Sequence, residues 1–119
     1  MASITVQNYH DCYTYGKEIH LGNTTRKEAV AFLVQSGMTE RSAVYYLQCV
    51  TSMLEGKRYT ATVKEVATSH FLVQILNDYG MDGLKIALKS MRMHLDYQKG
   101  KNELPGMEKL YQDFLDVLP

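Results

Sequence analysis

The chain has 119 residues, of which 45% are apolar and 22% charged, and its formal net charge is zero. This size and composition predict one domain with a core that forms without metals or disulfides, and they exclude a strongly basic nucleic-acid-binding composition. No apolar stretch approaches the length of a membrane span.

The charge is distributed unevenly along the chain. Residues 1–22 carry a net charge of −1, and residues 102–119 carry −3. Residues 23–101 carry eleven Lys and Arg against seven Asp and Glu, a net charge of +4. A basic middle followed by an acidic tail is compatible with an anionic partner.

Two features predict a cytoplasmic protein. The start, Met1 to Val6, lacks the basic and apolar regions of a signal peptide. Cys12 and Cys49 are not spaced as a CxxC motif and are interpreted as reduced thiols.

Residues 1–22 are interpreted as an irregular, Tyr-rich N-terminal arm or short strand, because they show no clean helical period. The helical core is predicted over residues 23–119. Its first helix begins at an N-cap, Thr24 or Thr25, with Glu28 at the capping-box position, and Gly37 ends it.

Four further helices are predicted from caps and breaks. The second lies between Thr39 and Gly56, and the third from about Thr62 to Tyr79, stopped by Gly80. The expected inward residues of that third helix are Val66, Val73, Leu76 and Tyr79.

The fourth helix is predicted from about Asp82 to Lys99, and the fifth starts near Pro105. The fourth has an apolar stripe of Leu84, Leu88, Met91 and Leu95. The prediction is an all-α, compact bundle of about five helices with a helix-turn-helix-like pair and the N-terminal arm.

No pattern of catalytic residues is present, so the chain is expected not to be an enzyme and to hold no cofactor or metal. Its histidines, His10, His20, His70 and His94, are scattered rather than spaced as ligands. His70 and His94 are interpreted as histidines at the edge of the core, each with one hydrogen bond.

The first candidate binding surface is the helix pair from Thr25 to Glu55. The second helix of this pair is expected to show Arg41, Tyr45, Gln48 and Ser52 on its outer face. Arg reads guanine edges and Gln reads adenine edges, while Tyr and Ser bind phosphates. Two helices joined by a glycine turn are equally typical of a bundle in which both only pack.

The second candidate surface is the polar face of the fourth helix. Lys85, Lys89 and Arg92 follow each other at helical spacing, and Lys99 continues the row. Such a row suits a phosphate backbone, although it is also typical of a solvated helix face. Lys57 and Arg58, in the loop after the second helix, are expected to join it.

Scattered aromatic, glycine and histidine positions carry a family resemblance. They lie in the runs Tyr45–Tyr46, Met53–Tyr59, His70–Leu72, Asp78–Gly80 and Met93–Tyr97. Over about residues 40–118, the chain resembles the helical domain that precedes the nuclease part of some bacterial HNH restriction endonucleases. The resemblance implies a specificity module for DNA, with the nuclease fused in a longer parent or associated as a subunit.

The sequence therefore predicts a DNA-binding helical domain of a restriction or defence system, acting on double-stranded DNA that is specific or modified. Arg41, Tyr45 and Gln48 are expected to contact bases, and Lys57, Arg58, Lys85, Lys89, Arg92 and Lys99 to contact phosphates. The alternative is a protein-interaction or dimerisation module that uses the apolar face of the last helix.

Overall fold

The computed structural model describes residues 4–119, and over these residues the chain is all-α. Its helices are α1 (Val6–His20), α2 (Arg26–Gln35), α3 (Glu40–Glu55), α4 (Glu65–Gln98) and α5 (Pro105–Leu115). The predicted fold class, a compact bundle of five helices, is confirmed. Within the described residues, no helix combines the length and hydropathy needed to cross a membrane.

The prediction of an irregular N-terminal arm is wrong, because this region is a helix from Val6 to His20. Residues 1–3 of the predicted arm lie outside the described residues. Thr5 caps α1: its hydroxyl accepts from the Asn8 N–H, and the Asn8 side chain accepts from the Thr5 N–H. The buried face of α1 consists of Asn8, Tyr9, Cys12, Tyr13 and Gly16. The spacing is helical, but two of these residues are polar or lack a side chain, which hid the apolar period.

A glycine sets how closely α1 approaches α3. A methyl group placed on Gly16 would lie 2.4 Å from a Val50 methyl carbon, well inside van der Waals contact. Tyr9 and Tyr46 stack beside this crossing, with ring centroids 6.1 Å apart. Because α3 packs on α1, α2 and α4, the region predicted as a loose arm forms one wall of the core.

The predicted caps of α2 and α3 are confirmed. The hydroxyls of Thr25 and Thr39 each accept from the backbone N–H three residues later. Gly56 ends α3 in the left-handed conformation, with φ 73°. Another residue would be strained at that angle, and a methyl group there would also press on Ile86 at 3.2 Å.

Gly80 folds α4 into two halves, α4a (65–79) and α4b (81–98). Its backbone angles, φ 72° and ψ −163°, are not helical and belong to a region open mainly to glycine. A straight helix of 34 residues would be about 51 Å long, yet the longest dimension of the molecule is 38 Å. The sequence therefore predicted the break correctly.

The predicted inward faces of the two halves had different outcomes. The stripe Leu84, Leu88, Met91 and Leu95 of α4b is buried, as predicted. In α4a the prediction is wrong for Val66, Val73 and Tyr79, which are 64%, 41% and 38% exposed. Ala67, Phe71, Leu72 and Ile75 are buried instead. The observed stripe is displaced by one or two residues from the predicted one. The prediction missed it because Ala67 and Thr68 were not counted as core residues.

The last helix, α5, packs on α4. Met107 is buried, and the remaining apolar side chains of α5 are half-buried against the core. The apolar stripe that suggested a dimerisation surface is therefore used within the chain.

Candidate nucleic-acid interface

A non-helical segment between α3 and α4, residues 57–64 (the connector), lies along α4b. Three side chains of α4b bind connector carbonyls: Ser90 that of Lys57, His94 that of Tyr59 at 2.7 Å, and Gln98 that of Thr60 at 2.9 Å. These side chains are four residues apart, so they share one face and rise by about 6 Å per step. Two residues of extended chain advance about 6.6 Å, which matches the first step.

We call the three side chains of Ser90, His94 and Gln98 the clamp, and His94 is its central residue. Its Nδ1 must carry the proton, because a carbonyl oxygen only accepts, and its Nε2 then accepts from the Thr62 hydroxyl at 3.0 Å. The ring also stacks on Tyr59 at 4.2 Å. Burial lowers the pKa of His94, so the neutral form is favoured in the fold. The prediction of a core-edge histidine with one hydrogen bond was too modest: His94 is fully buried and makes two.

The clamp brings two separated parts of the sequence into one positively charged surface. The Arg58 guanidinium carbon lies 4.7 Å from the centre of the Tyr97 ring, and the Lys101 Nζ lies 3.9 Å from it. Both distances are within the range of cation–π attraction. Among residues 4–119, neither cation has an ion pair to a carboxylate.

We give the name basic edge to this group of Arg58, Tyr97 and Lys101 together with four exposed lysines that the sequence predicted as phosphate contacts, Lys57, Lys85, Lys89 and Lys99. At about 100° per residue, Lys89 and Lys85 lie about 80° and about 120° around the helix from Tyr97. Lys85 and Lys89 are exposed on successive turns of α4b. The side chains of Lys57 and Lys99 are 72% and 62% exposed, although each has a carboxylate nearby. These partners are Glu55 at 3.5 Å and Asp96 at 3.6 Å, distances at which an exposed pair is weak.

Arg92 does not belong to the basic edge, which corrects its predicted role as a phosphate contact. Its guanidinium binds both carboxylate oxygens of Glu108 at 2.9 Å and also reaches Asp96. It lies 4.9 Å from the centre of the Tyr111 ring. The carboxylates raise the pKa of Arg92, and Arg92 in turn lowers that of Glu108. Arg92 thus joins α4 to α5, and its charge is compensated.

The predicted base-reading residues lie on a narrow strip of α3. Arg41 and Tyr45 are exposed and Gln48 is half-buried, whereas Ser52 is buried, contrary to its predicted outward position. The strip therefore comprises only the first two turns of the helix. Arg41 precedes Gly56 by 15 residues, about 22 Å along the helix axis. The structure brings Arg58 together with Tyr97 and Lys101, but it does not place Arg41 beside them.

Sequence reasoning missed Tyr97 as part of this surface, although it had counted the charge of Lys101. Tyr97 appears in the sequence analysis only as part of the run Met93–Tyr97 that carries the family resemblance, and not as part of a binding surface. The spacing of Ser90, His94 and Gln98 was the available signal, since three polar side chains four residues apart indicate a polar partner along that face.

Within the part of the chain that the structure describes, the remaining reactive side chains form no recognisable site. Over residues 4–119, no three His, Cys, Asp or Glu side chains come together as metal ligands. Cys12 and Cys49 are buried free thiols whose pKa burial raises to about 12. The His70 ring faces His10 edge-on at 6.3 Å, and burial lowers its pKa.

No family model, curated protein or solved structure matches this chain. The resemblance to an HNH-associated helical domain therefore stays a prediction.

Proposed function

We propose that this chain binds duplex DNA and uses the basic edge to hold the phosphate backbone. The observation that carries the proposal is the group of Arg58, Tyr97 and Lys101. Two cations share one aromatic ring and no described carboxylate pairs with either of them. Because like charges held close together repel each other, an approaching anion is stabilised there.

The length and rigidity of the edge suit a polymer of phosphates. Lys85 and Lys99 are fourteen residues apart on one helix face, about 21 Å or roughly six base pairs. The clamp fixes Lys57 and Arg58 along this helix, so the positive charges are positioned before DNA arrives. A positioned charge loses less conformational entropy on binding than a free side chain does.

In this proposal, Arg41, Tyr45 and Gln48 contact base edges. In helix-turn-helix proteins, the N-terminal residues of the second helix are those that reach bases. The exposed strip of α3 is confined to that end of the helix, and α2 precedes it across a four-residue turn.

The cellular setting is also a proposal and comes from the family resemblance. A helical specificity module implies that cleavage belongs to a nuclease, fused or associated, and that this chain contributes recognition without catalysis. Its substrate is then double-stranded DNA in the bacterial cytoplasm, including modified sites.

The test is fluorescence anisotropy with a labelled mixed-sequence duplex, with and without cytosine methylation, over a salt series. We expect steep weakening with salt, because binding releases counterions from the phosphates. Lys89→Ala should weaken binding to every duplex and lower the salt slope by about one, whereas Arg41→Ala should weaken preferred sites selectively.

Lys109→Ala is the matched control. Lys109 is a 78% exposed lysine of α5 that pairs with Asp113 and lies outside the basic edge. An equal loss of affinity in Lys109→Ala and Lys89→Ala would refute the assignment of the edge. No binding to any duplex at low salt would refute the proposed function.

A further inference from the structure

An apolar groove between α2 and α3 is separate from the basic edge. It is an open depression of about 800 Å³, and the apolar residues that line it are Val30, Ala31, Val34 and Val44. Val34, one of these lining residues, is 42% exposed. Burying such a surface against a partner stabilises the complex in proportion to the apolar area removed from water.

The groove has opposite charges at its two ends. Arg26 and Lys27 line it at the first turn of α2, and Glu40 lines it at the first turn of α3, next to the end of α2. Over residues 4–119, none of these three side chains has an ion pair within the chain. The groove is thus positive at one end and negative at the other, along about 15 Å of helix.

We infer that the occupant of this groove is a second copy of the chain, with the two α2 helices packed antiparallel about a two-fold axis. In a two-fold interface, each surface meets itself in the reverse direction. Lys27 of one copy then faces Glu40 of the other, twice. In this arrangement the dipoles of the two α2 helices are also antiparallel, so the positive end of each lies beside the negative end of the other.

The apolar side chains that line the groove suit such a crossing. Ala31 lies midway along α2, where a small side chain lets two helix axes approach to about 8 Å. Arg41 and Tyr45 do not line the groove. One ten-residue helix gives a small interface, and we expect a dissociation constant of about 10 to 100 µM.

The first test is sedimentation velocity over a concentration series from about 5 to about 500 µM, which brackets that range. Val34→Asp should abolish dimerisation, because it places two carboxylates in the apolar contact. Val66→Asp is the control: Val66 is 64% exposed on the first turn of α4 and outside the groove. A monomer at all concentrations, or a dimer that survives Val34→Asp, would overturn the inference.

The second test uses charge reversal and distinguishes a second copy from any other occupant. Lys27→Glu and Glu40→Lys should each raise the dissociation constant at least tenfold, because each variant places like charges opposite one another. Mixing the two variants should restore dimers, since both pairs then have opposite charges. Unchanged melting temperatures would show that both variants fold, and failure of the mixture to dimerise would refute the antiparallel arrangement.

Discussion

Two arginine–tyrosine pairs, each with one member on α4b, have opposite electrostatic surroundings. Arg92 lies over Tyr111 at 4.9 Å and binds two carboxylates, those of Glu108 and Asp96. Arg58 lies over Tyr97 at 4.7 Å, and another cation, Lys101, lies 3.9 Å from the centre of the same ring. The aromatic contact is nearly the same in both pairs, so the difference lies in the net charge.

This difference separates an internal contact from a surface that keeps a net positive charge. The Arg92 pair satisfies its charge within the chain and holds α5 on α4. The Arg58 pair leaves its charge uncompensated and faces solvent. The presence of an arginine on a helix face therefore says little about binding until its carboxylate partners are known.

The largest effect is expected from a change that dismantles the Arg58 group while leaving the Arg92 group intact. His94→Ala removes two hydrogen bonds and a buried ring, at a cost of about 2–4 kcal/mol in the free energy of unfolding. It should also weaken DNA binding, because the connector no longer holds Arg58 beside Tyr97. Denaturant unfolding and anisotropy measure the two effects.

His94→Asn keeps a donor near the position of Nδ1 and should recover part of both losses. His20→Ala, at an exposed histidine of α1, is the control for loss of an imidazole. If the loss of stability in His94→Ala leaves affinity unchanged in the folded fraction, the clamp does not position the basic edge.

An intermediate effect is expected from exchanging each arginine for alanine in turn. Arg92→Ala should cost about 1–2 kcal/mol of stability, because it removes a paired, partly buried guanidinium, and should change DNA affinity little. Arg58→Ala should do the reverse: lower affinity about fivefold to tenfold at low salt, with little change in unfolding. If both variants behave alike in both measurements, the distinction between the pairs is wrong.

The smallest effect on stability is expected from a change of pH. His94 in the clamp and Glu108 beside Arg92 lose their contributions to stability over different pH ranges. The lowered pKa of His94 means that its contribution to stability is complete above the ordinary value of 6.5 and declines as pH falls below it. The lowered pKa of Glu108 means that its contribution persists down to its ordinary value of 4.5 and declines below that.

Stability measured between pH 8 and 3 should therefore decline in two stages. His94→Asn should remove the share of His94 from the first stage and leave that of His70, and Glu108→Gln should remove part of the second stage. A first stage unchanged by His94→Asn would mean that another group titrates there.

The features that the sequence predicts correctly are those determined by near neighbours. The N-caps Thr25 and Thr39, the left-handed Gly56 and the break at Gly80 each depend on a few adjacent residues. The sequence did not predict the N-terminal helix, because its buried face includes Asn8 and Gly16. The role of Gly16 is apparent only once Val50 lies across from it.

The candidate site was predicted in part for the same reason. The positive row on α4b is visible in the sequence because its spacing is helical. Whether a cation in that row is free depends on distant residues: Glu108 neutralises Arg92, sixteen positions away, whereas Lys101 adds to Arg58 across 43 positions. No local pattern contains this information.

The clamp binds the carbonyl groups of the connector and not its N–H groups. Amide hydrogen exchange therefore does not report whether the connector is ordered. Among the described residues, the backbone N–H groups of residues 58–63 donate no hydrogen bond. Amide exchange should therefore label this stretch rapidly, as it would a loose loop, while the Nδ1 proton of His94 stays protected. The imidazole nitrogen signals of His94 are thus the spectroscopic probe that reports whether the connector is in place.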